Sequence, residues 1–142
     1  MNTSLTYRQA TEKDLDFLFD LRTKTMVPHY EVSGLSTDKE TTLKRVLYEF
    51  DKAQIILLDN QPIGLLKVNR TFTNIDVLQL QIDPAQQGKK ILTDILEEAS
   101  LAGKTVSLSV LKTNKAQHLY TSLGFRIVDE DQNSYFMETE KQ

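Results

Sequence analysis

Apolar and polar positions alternate over Thr105–Val110, which predicts a strand, and Leu5–Gln9 reads as a shorter one near the start of the chain. The apolar runs Gln54–Leu58 and Ile63–Asn69 read as strands around Asp59-Asn60-Gln61-Pro62, a good turn sequence. Asp76–Ile82 is a fourth strand, stopped by Pro84. The helical period appears first over Glu12–Thr25, capped by Thr11, with Leu15, Leu18, Phe19 and Leu21 facing inward. Pro28 ends that helix and opens a loop, Pro28–Leu35. Thr37 and Glu40 have capping-box spacing for a second helix over Asp38–Phe50. In Leu92–Ala102, Leu92, Ile95, Leu96 and Ala99 share one face, Asp94, Glu97 and Glu98 lie outside, and Gly103 terminates the helix. A last helical pattern, between Val110 and Gly124, precedes the strands Phe125–Asp129 and Ser134–Glu138. The predicted order is β-α-α-β-β-β-α-β-α-β-β, an α+β domain.

Bulk properties narrow the function classes. The 142 residues are 39% hydrophobic and 26% charged, which is ordinary for one globular domain spanning 1–142. Such a chain buries roughly two-thirds of its unfolded surface. A net charge of −3 argues against nucleic acid as a partner, because counterion release needs a basic face. No stretch approaches the roughly 18–20 apolar residues that cross a bilayer, and MNTSLTYRQATEKDL lacks a signal-peptide pattern. With no cysteine, no disulfide framework or thiolate site is expected. His29 and His118 lie far apart in sequence, so no metal is expected either. The expectation is a cytoplasmic protein, monomer or homodimer.

The densest chemistry lies in Val110–Phe125, VLKTNKAQHLYTSLGF. Helical spacing puts Ala116, Leu119, Tyr120 and Leu123 on one stripe. Were Tyr120 a leucine, the stripe would be plain core. A tyrosine there brings a hydroxyl into an apolar face, and that hydroxyl needs a partner, from the protein or from a ligand.

This stretch, read as Asn114, Ala116, Leu119, Tyr120, Leu123, Gly124 and Phe125, resembles the N-x-A-x-x-L-Y-x-x-L-G-F signature of the GNAT superfamily of acyl-CoA-dependent N-acetyltransferases. The element order agrees, so the resemblance covers nearly the whole chain. It implies an acyl-CoA N-acyltransferase fold, with a mixed, mostly antiparallel sheet of about six or seven strands and four helices. It also implies acetyl-CoA as co-substrate and an amine of a small molecule or peptide as acceptor. Tyr120 then protonates the departing thiolate as general acid, and transfer is direct, within a ternary complex. Asn114, before the helix, either caps it or bonds the cofactor arm.

By the same resemblance, the fourth strand splays from the fifth, and the backbone of Leu80 and Ile82 holds the pantetheine arm, with Val110 and Leu111 lining the far side. The pyrophosphate-binding pattern falls on Gln87, Gly88, Lys89, Lys90, Ile91 and Leu92, at a helix N-terminus where free N–H groups favour anions. Gln87 and Gly88 fit. Lys90 replaces the central glycine, and Leu92 a second glycine or alanine. Some family members carry a glutamate base on the fourth strand; Gln79 and Gln81 stand there instead, leaving water-mediated deprotonation, or Asp76, Glu31 or His29. The acceptor site of the family falls on Pro28–Leu35, which singles out His29, Tyr30 and Glu31. The altered loop and the missing carboxylate favour an alternative, a non-catalytic acyl-CoA-binding or sensing domain.

Overall fold

The structure, a computed structural model, describes residues 5–83 and 89–140; the side chain of Lys89 also lies outside the described set. Among the described residues the helices and strands are β1 (Leu5–Gln9), α1 (Leu15–Thr25), α2 (Val27–Val32), α3 (Lys39–Leu47), β2 (Ala53–Leu58), β3 (Gln61–Arg70), β4 (Asn74–Ile82), α4 (Lys89–Ala102), β5 (Thr105–Leu111), α5 (Ala116–Ser122), β6 (Phe125–Glu130) and β7 (Ser134–Thr139). Short 3-10 turns, Glu12–Asp14 and Phe50–Lys52, precede α1 and β2. The sheet order is β1-β2-β3-β4-β5-β7-β6, with β4 parallel to β5 and antiparallel pairing prevailing elsewhere. This is the expected α+β architecture with seven strands. The chain divides into two compact units, Met1–Lys67 with Gln79–Gln87, and Val68–Leu78 with Gly88–Gln142.

In the first unit β2 and β3 form a hairpin whose loop is Asp59 and Asn60, both with left-handed φ (49° and 68°). Asp-Asn tolerates that conformation, and the resulting twist matches the flanking strands. Pro62 lies opposite Leu57, next to a bulge between Ile56 and Leu57, where a missing N–H is tolerated. Leu18 and Leu21 of α1 and Val46 of α3 pack with Ala10, Ala53, Ile55 and Leu65. Each fully buried Leu or Ile stabilises by about 2 kcal/mol. Asp14 fixes the entry to α1: its carboxylate accepts the Thr11 N–H (2.8 Å) and both terminal nitrogens of Arg8 (2.8 and 2.9 Å).

Three local expectations are corrected here. The stretch expected as the loop Pro28–Leu35 begins with a helix, α2, and the α-helices among the described residues number five rather than four. Pro28 sits in its first turn, where no intrahelical N–H bond is lost. The cap of α3 is Asp38, not the Thr37–Glu40 box; its carboxylate accepts the Thr41 N–H at 2.8 Å. That helix ends at Leu47 instead of Phe50, because Tyr48 turns extended and Glu49 is left-handed.

In the second unit β4 pairs with β5 over Asn74–Val77, β5 with β7, and β7 with β6. Helix α4 buries Ile91, Leu92, Ile95 and Ala99. Gly103, at φ 69°, reverses the chain so that Lys104 N–H reaches the Ala99 carbonyl at 2.8 Å. Gly124, at φ 101°, follows the end of α5, its N–H reaching the Thr121 carbonyl at 3.1 Å.

Candidate active site

Tyr120 lies on the stripe of α5 that the sequence singles out, and Ala116, Leu119, Tyr120 and Leu123 are all half-buried. Its ring meets Phe125 edge-on, with centroids 5.9 Å apart. Burial pushes the phenol above its usual range, so the hydroxyl stays protonated at neutral pH. Among the described residues the hydroxyl makes no hydrogen bond. The helix that carries it is seven residues long and starts from a side-chain bond: Asn114 Oδ1 accepts the Ala116 N–H at 2.9 Å. The Asn114 side chain thus bonds the start of α5, although the N-cap position itself is Lys115.

The parallel register of β4 with β5 runs from Asn74↔Thr105 to Val77↔Leu108. It is fixed by side chains as well as backbone, for Asn74 Nδ2 bonds Thr105 Oγ1 (2.9 Å) and Ser107 Oγ bonds Asp76 Oδ1 (2.8 Å). Asp76, weighed as a base, is thus held by a serine hydroxyl. Val110 and Leu111 are buried.

Gln87 and Gly88 lie outside the described residues. The helix that follows, α4, is described from Lys89 onward. Ile91 and Leu92 point inward and are almost wholly buried, which explains how a leucine stands where a small residue was expected. Its side chain belongs to the core and leaves the turn's N–H groups alone. Lys90 is exposed and pairs with Asp94 one turn on, at 2.8 Å.

In the first unit Gly64 and Gln81 meet closely: a Cβ at Gly64 would overlap the Gln81 carbonyl oxygen. Glycine is needed there for backbone approach. Gln79 donates through Nε2 to the Arg45 carbonyl (3.1 Å), and the Oε1 atoms of Gln79 and Gln81 are buried without a partner among the described residues. Of the acceptor candidates, Tyr30 accepts a 2.7 Å bond from Arg22 Nη2, while His29 is half-buried and Glu31 exposed on the same short helix.

Sequence reasoning missed two buried cations in this unit. Arg22 is 4% exposed, and Lys67 is fully buried. Each occupies an apolar position of its pattern: Arg22 follows Leu15 and Leu18 at i+7 and i+4, and Lys67 interrupts the run from Ile63 to Val68. A charge at such a position was the available signal.

No helix among the described residues is long and apolar enough to cross a membrane, and none of their His, Asp and Glu groups cluster as a metal site. No curated relative matches the sequence. Solved structures share the fold. The PaiA N-acetyltransferase of Thermoplasma acidophilum, in complex with coenzyme A, superposes with a TM-score of 0.73 at 19% identity, over 96% of this chain and 99% of that one. The ribosomal-protein-S18-alanine N-acetyltransferase of Escherichia coli gives 0.65 at 16% identity, over 96% and 93%. Arabidopsis thaliana Naa50, with a bisubstrate analogue, gives 0.61 at 14%, over 96% and 99%. At these identities the likeness is one of fold. The family model described as an acetyltransferase (GNAT) domain matches residues 23–137, and with it the chain belongs to the GNAT family of N-acetyltransferases.

Proposed function

We propose that the protein transfers the acetyl group of acetyl-CoA to an amine by direct attack, with Tyr120 as general acid. The observation that carries this reading is the state of Tyr120: protonated, half-buried, and without a hydrogen-bond partner among the described residues. The amine nitrogen attacks the thioester carbonyl carbon, the carbon–sulfur bond breaks, and Tyr120 gives its proton to the sulfur. The proton lost by the amine leaves through water, since Gln79 and Gln81 cannot take it. Backbone N–H groups of Leu80 and Ile82 hold the pantetheine arm and polarise the carbonyl.

The pyrophosphate is held by Gln87, Gly88 and the first turn of α4, through the backbone of Lys89, Lys90, Ile91 and Leu92. Lys90 adds a cation if it leaves Asp94, an exposed pair of small worth. Coenzyme A in the Thermoplasma protein and the bisubstrate analogue in the Arabidopsis protein support this choice of donor. His29, Tyr30 and Glu31 are assigned to the acceptor side. The protein acts as a single domain.

The test joins calorimetry with acetyl-CoA to kinetics of Tyr120→Phe. Binding near micromolar is expected, with kcat in the variant lowered by about 10²–10⁴-fold and affinity for acetyl-CoA retained. Binding without turnover in both proteins supports the other reading, a sensing domain, which Gln79 and Gln81 in place of a glutamate favour. Equal turnover in the two proteins removes Tyr120 from the chemistry.

A further inference from the structure

The first unit contains a group of cations without an acid to balance it. Arg22 is buried on α1. Its Nη2 donates to the Tyr30 hydroxyl at 2.7 Å, while Nε and Nη1 are buried with no partner among the described residues. Arg45 lies over the ring of the same tyrosine, its guanidinium carbon 4.1 Å from the centroid, against 5.5 Å for Arg22. The Arg45 carbonyl receives both the Lys67 ammonium (3.4 Å) and the Gln79 amide (3.1 Å). Arg22, Tyr30, Arg45, Lys67 and Gln79 are thus one connected network. Among the described residues, no carboxylate forms an ion pair with any of its three cations. Glu49 exerts only a longer-range attraction on Lys67.

An unbalanced buried guanidinium is costly, and removing a charge's partners costs more than never burying it. A fold that keeps Arg22 in this state has a use for it. From the buried, unpartnered Nε and Nη1 we propose that Arg22 is the anion subsite of the acceptor pocket, and that the acceptor is an amine bearing a carboxylate. This rests on the acetyl-transfer reading above and adds the class of substrate. The N–H donors of the guanidinium lie in its own plane and match a carboxylate, whose single charge costs less to bury than that of a doubly charged phosphate. Gln79 supplies the complement for the other end: its Nε2 is committed to Arg45, so its buried Oε1 is free to accept an N–H from the amine. Access is through Tyr30. It stands on α2, a six-residue helix that buries none of its residues and is therefore among the easiest elements to displace. When Tyr30 moves aside, the carboxylate takes the place of its hydroxyl in the plane of the guanidinium, accepting from Nη2 and Nε.

The experiment has two arms. In the first, L-amino acids and their carboxamides are compared as acceptors by release of free coenzyme A, in wild type and in Arg22→Met. The acids are expected to be favoured by about tenfold or more in kcat/KM, since a charge-assisted bond to a buried group is lost in the amides. In Arg22→Met that preference falls within about threefold, while the affinity for acetyl-CoA stays unchanged. Amides used as well as acids, or a preference that survives in the variant, overturns the proposal.

In the second arm, thermal midpoints are measured with sodium succinate, sodium phosphate and sodium chloride at equal ionic strength, without acetyl-CoA. A rise specific to succinate and lost in Arg22→Met supports the subsite even if no amino acid in the panel is acetylated. No rise overturns it, and a rise with phosphate alone overturns the carboxylate assignment. Failure of acetyl-CoA to bind wild type would instead overturn the acetyl-transfer reading and leave this arm to decide the subsite. If Arg22→Met does not fold, Arg22→Lys serves in both arms. It keeps the charge but loses the planar fork, and an unchanged response there overturns the proposal.

Discussion

Lys67 and Arg22 are two cations withdrawn from water in the same compact unit, and they are held on opposite terms. The Lys67 ammonium donates to the carbonyls of Val46 (2.8 Å) and Tyr48, with Arg45 farther off at 3.4 Å. These are the carbonyls at the end of α3, which lose their intrahelical donors when the chain turns away at Tyr48 and Glu49. A cation at a helix C-terminus also meets the negative end of the dipole. Lys67 therefore completes the helix it touches. Among the described residues Arg22 has one acceptor, the Tyr30 hydroxyl, and two nitrogens with none. A buried charge whose bonds are complete is accounted for by the fold; one whose bonds are incomplete calls for a further partner, which for Arg22 is the proposed carboxylate.

Substitution by a residue of similar length separates the two most sharply. Lys67→Met keeps the bulk and removes every donor, leaving the buried Val46 carbonyl and the part-buried Tyr48 carbonyl without it. Each such orphan costs about 1–3 kcal/mol, so a loss of about 2–3 kcal/mol is expected in chemical denaturation. Arg22→Met removes a charge that is itself unbalanced, and the expected change is within about 1 kcal/mol of wild type. Equal losses in the two variants would erase the distinction between them.

That distinction also marks where the sequence could be read and where it could not. Asp59-Asn60, Gly103 and Gly124 announce their turns because left-handed backbone selects a few residue types, and each is found where expected. The string from Asn114 to Phe125 is legible for a similar reason: the cap, the apolar stripe and the terminating glycine all lie within twelve residues. Pro28 misleads because a proline that forbids helix before it is equally suited to a first turn, and only the packing of α1 and α3 decides between them. Thr37 with Glu40 and Asp38 with Thr41 are both capping patterns, one residue out of step, and here Asp38 wins with added bonds from the Ser36 and Thr41 hydroxyls. Arg22 and Lys67 went unread because their partners, Tyr30 and the end of α3, are eight and about twenty residues away. Periodicity shows that a charge has entered an apolar face; it cannot show what meets it there.

A smaller effect follows from titration. Burial first, and the nearby Arg22 second, hold the Lys67 ammonium down to about 8, against an ordinary lysine near 10.5, with Glu49 opposing. Below pH 8 the lysine is charged in both folded and unfolded states, and the folded state carries the whole penalty. Between about 8 and 10.5 the unfolded chain binds a proton that the folded chain does not. Stability contributed by this group therefore rises with pH through that window and levels off above it. The neutral amine still has two hydrogens for its carbonyls, so the rise is not cancelled by lost bonds. Other groups titrate in the same range, and the quantity to measure is the difference between wild type and Lys67→Met across pH 7–10.5. A flat difference would mean that Lys67 titrates as it does in water.

The smallest effect couples the two cations directly. Because Arg22 is the second cause of the depressed Lys67 value, Arg22→Met should move the Lys67 midpoint upward while leaving the larger share, due to burial, in place. NMR titration of the lysine side chain reads this midpoint at one site, independent of stability and of catalysis. A carboxylate seated on Arg22 should act in the same direction, since it adds the negative charge that the network lacks. Succinate is therefore expected to raise the Lys67 midpoint in wild type and to leave it unmoved in Arg22→Met. If Arg22→Met raises the midpoint but succinate does not, the two cations feel each other and the anion does not reach them. In that case Arg22 belongs with Lys67, as part of the fold.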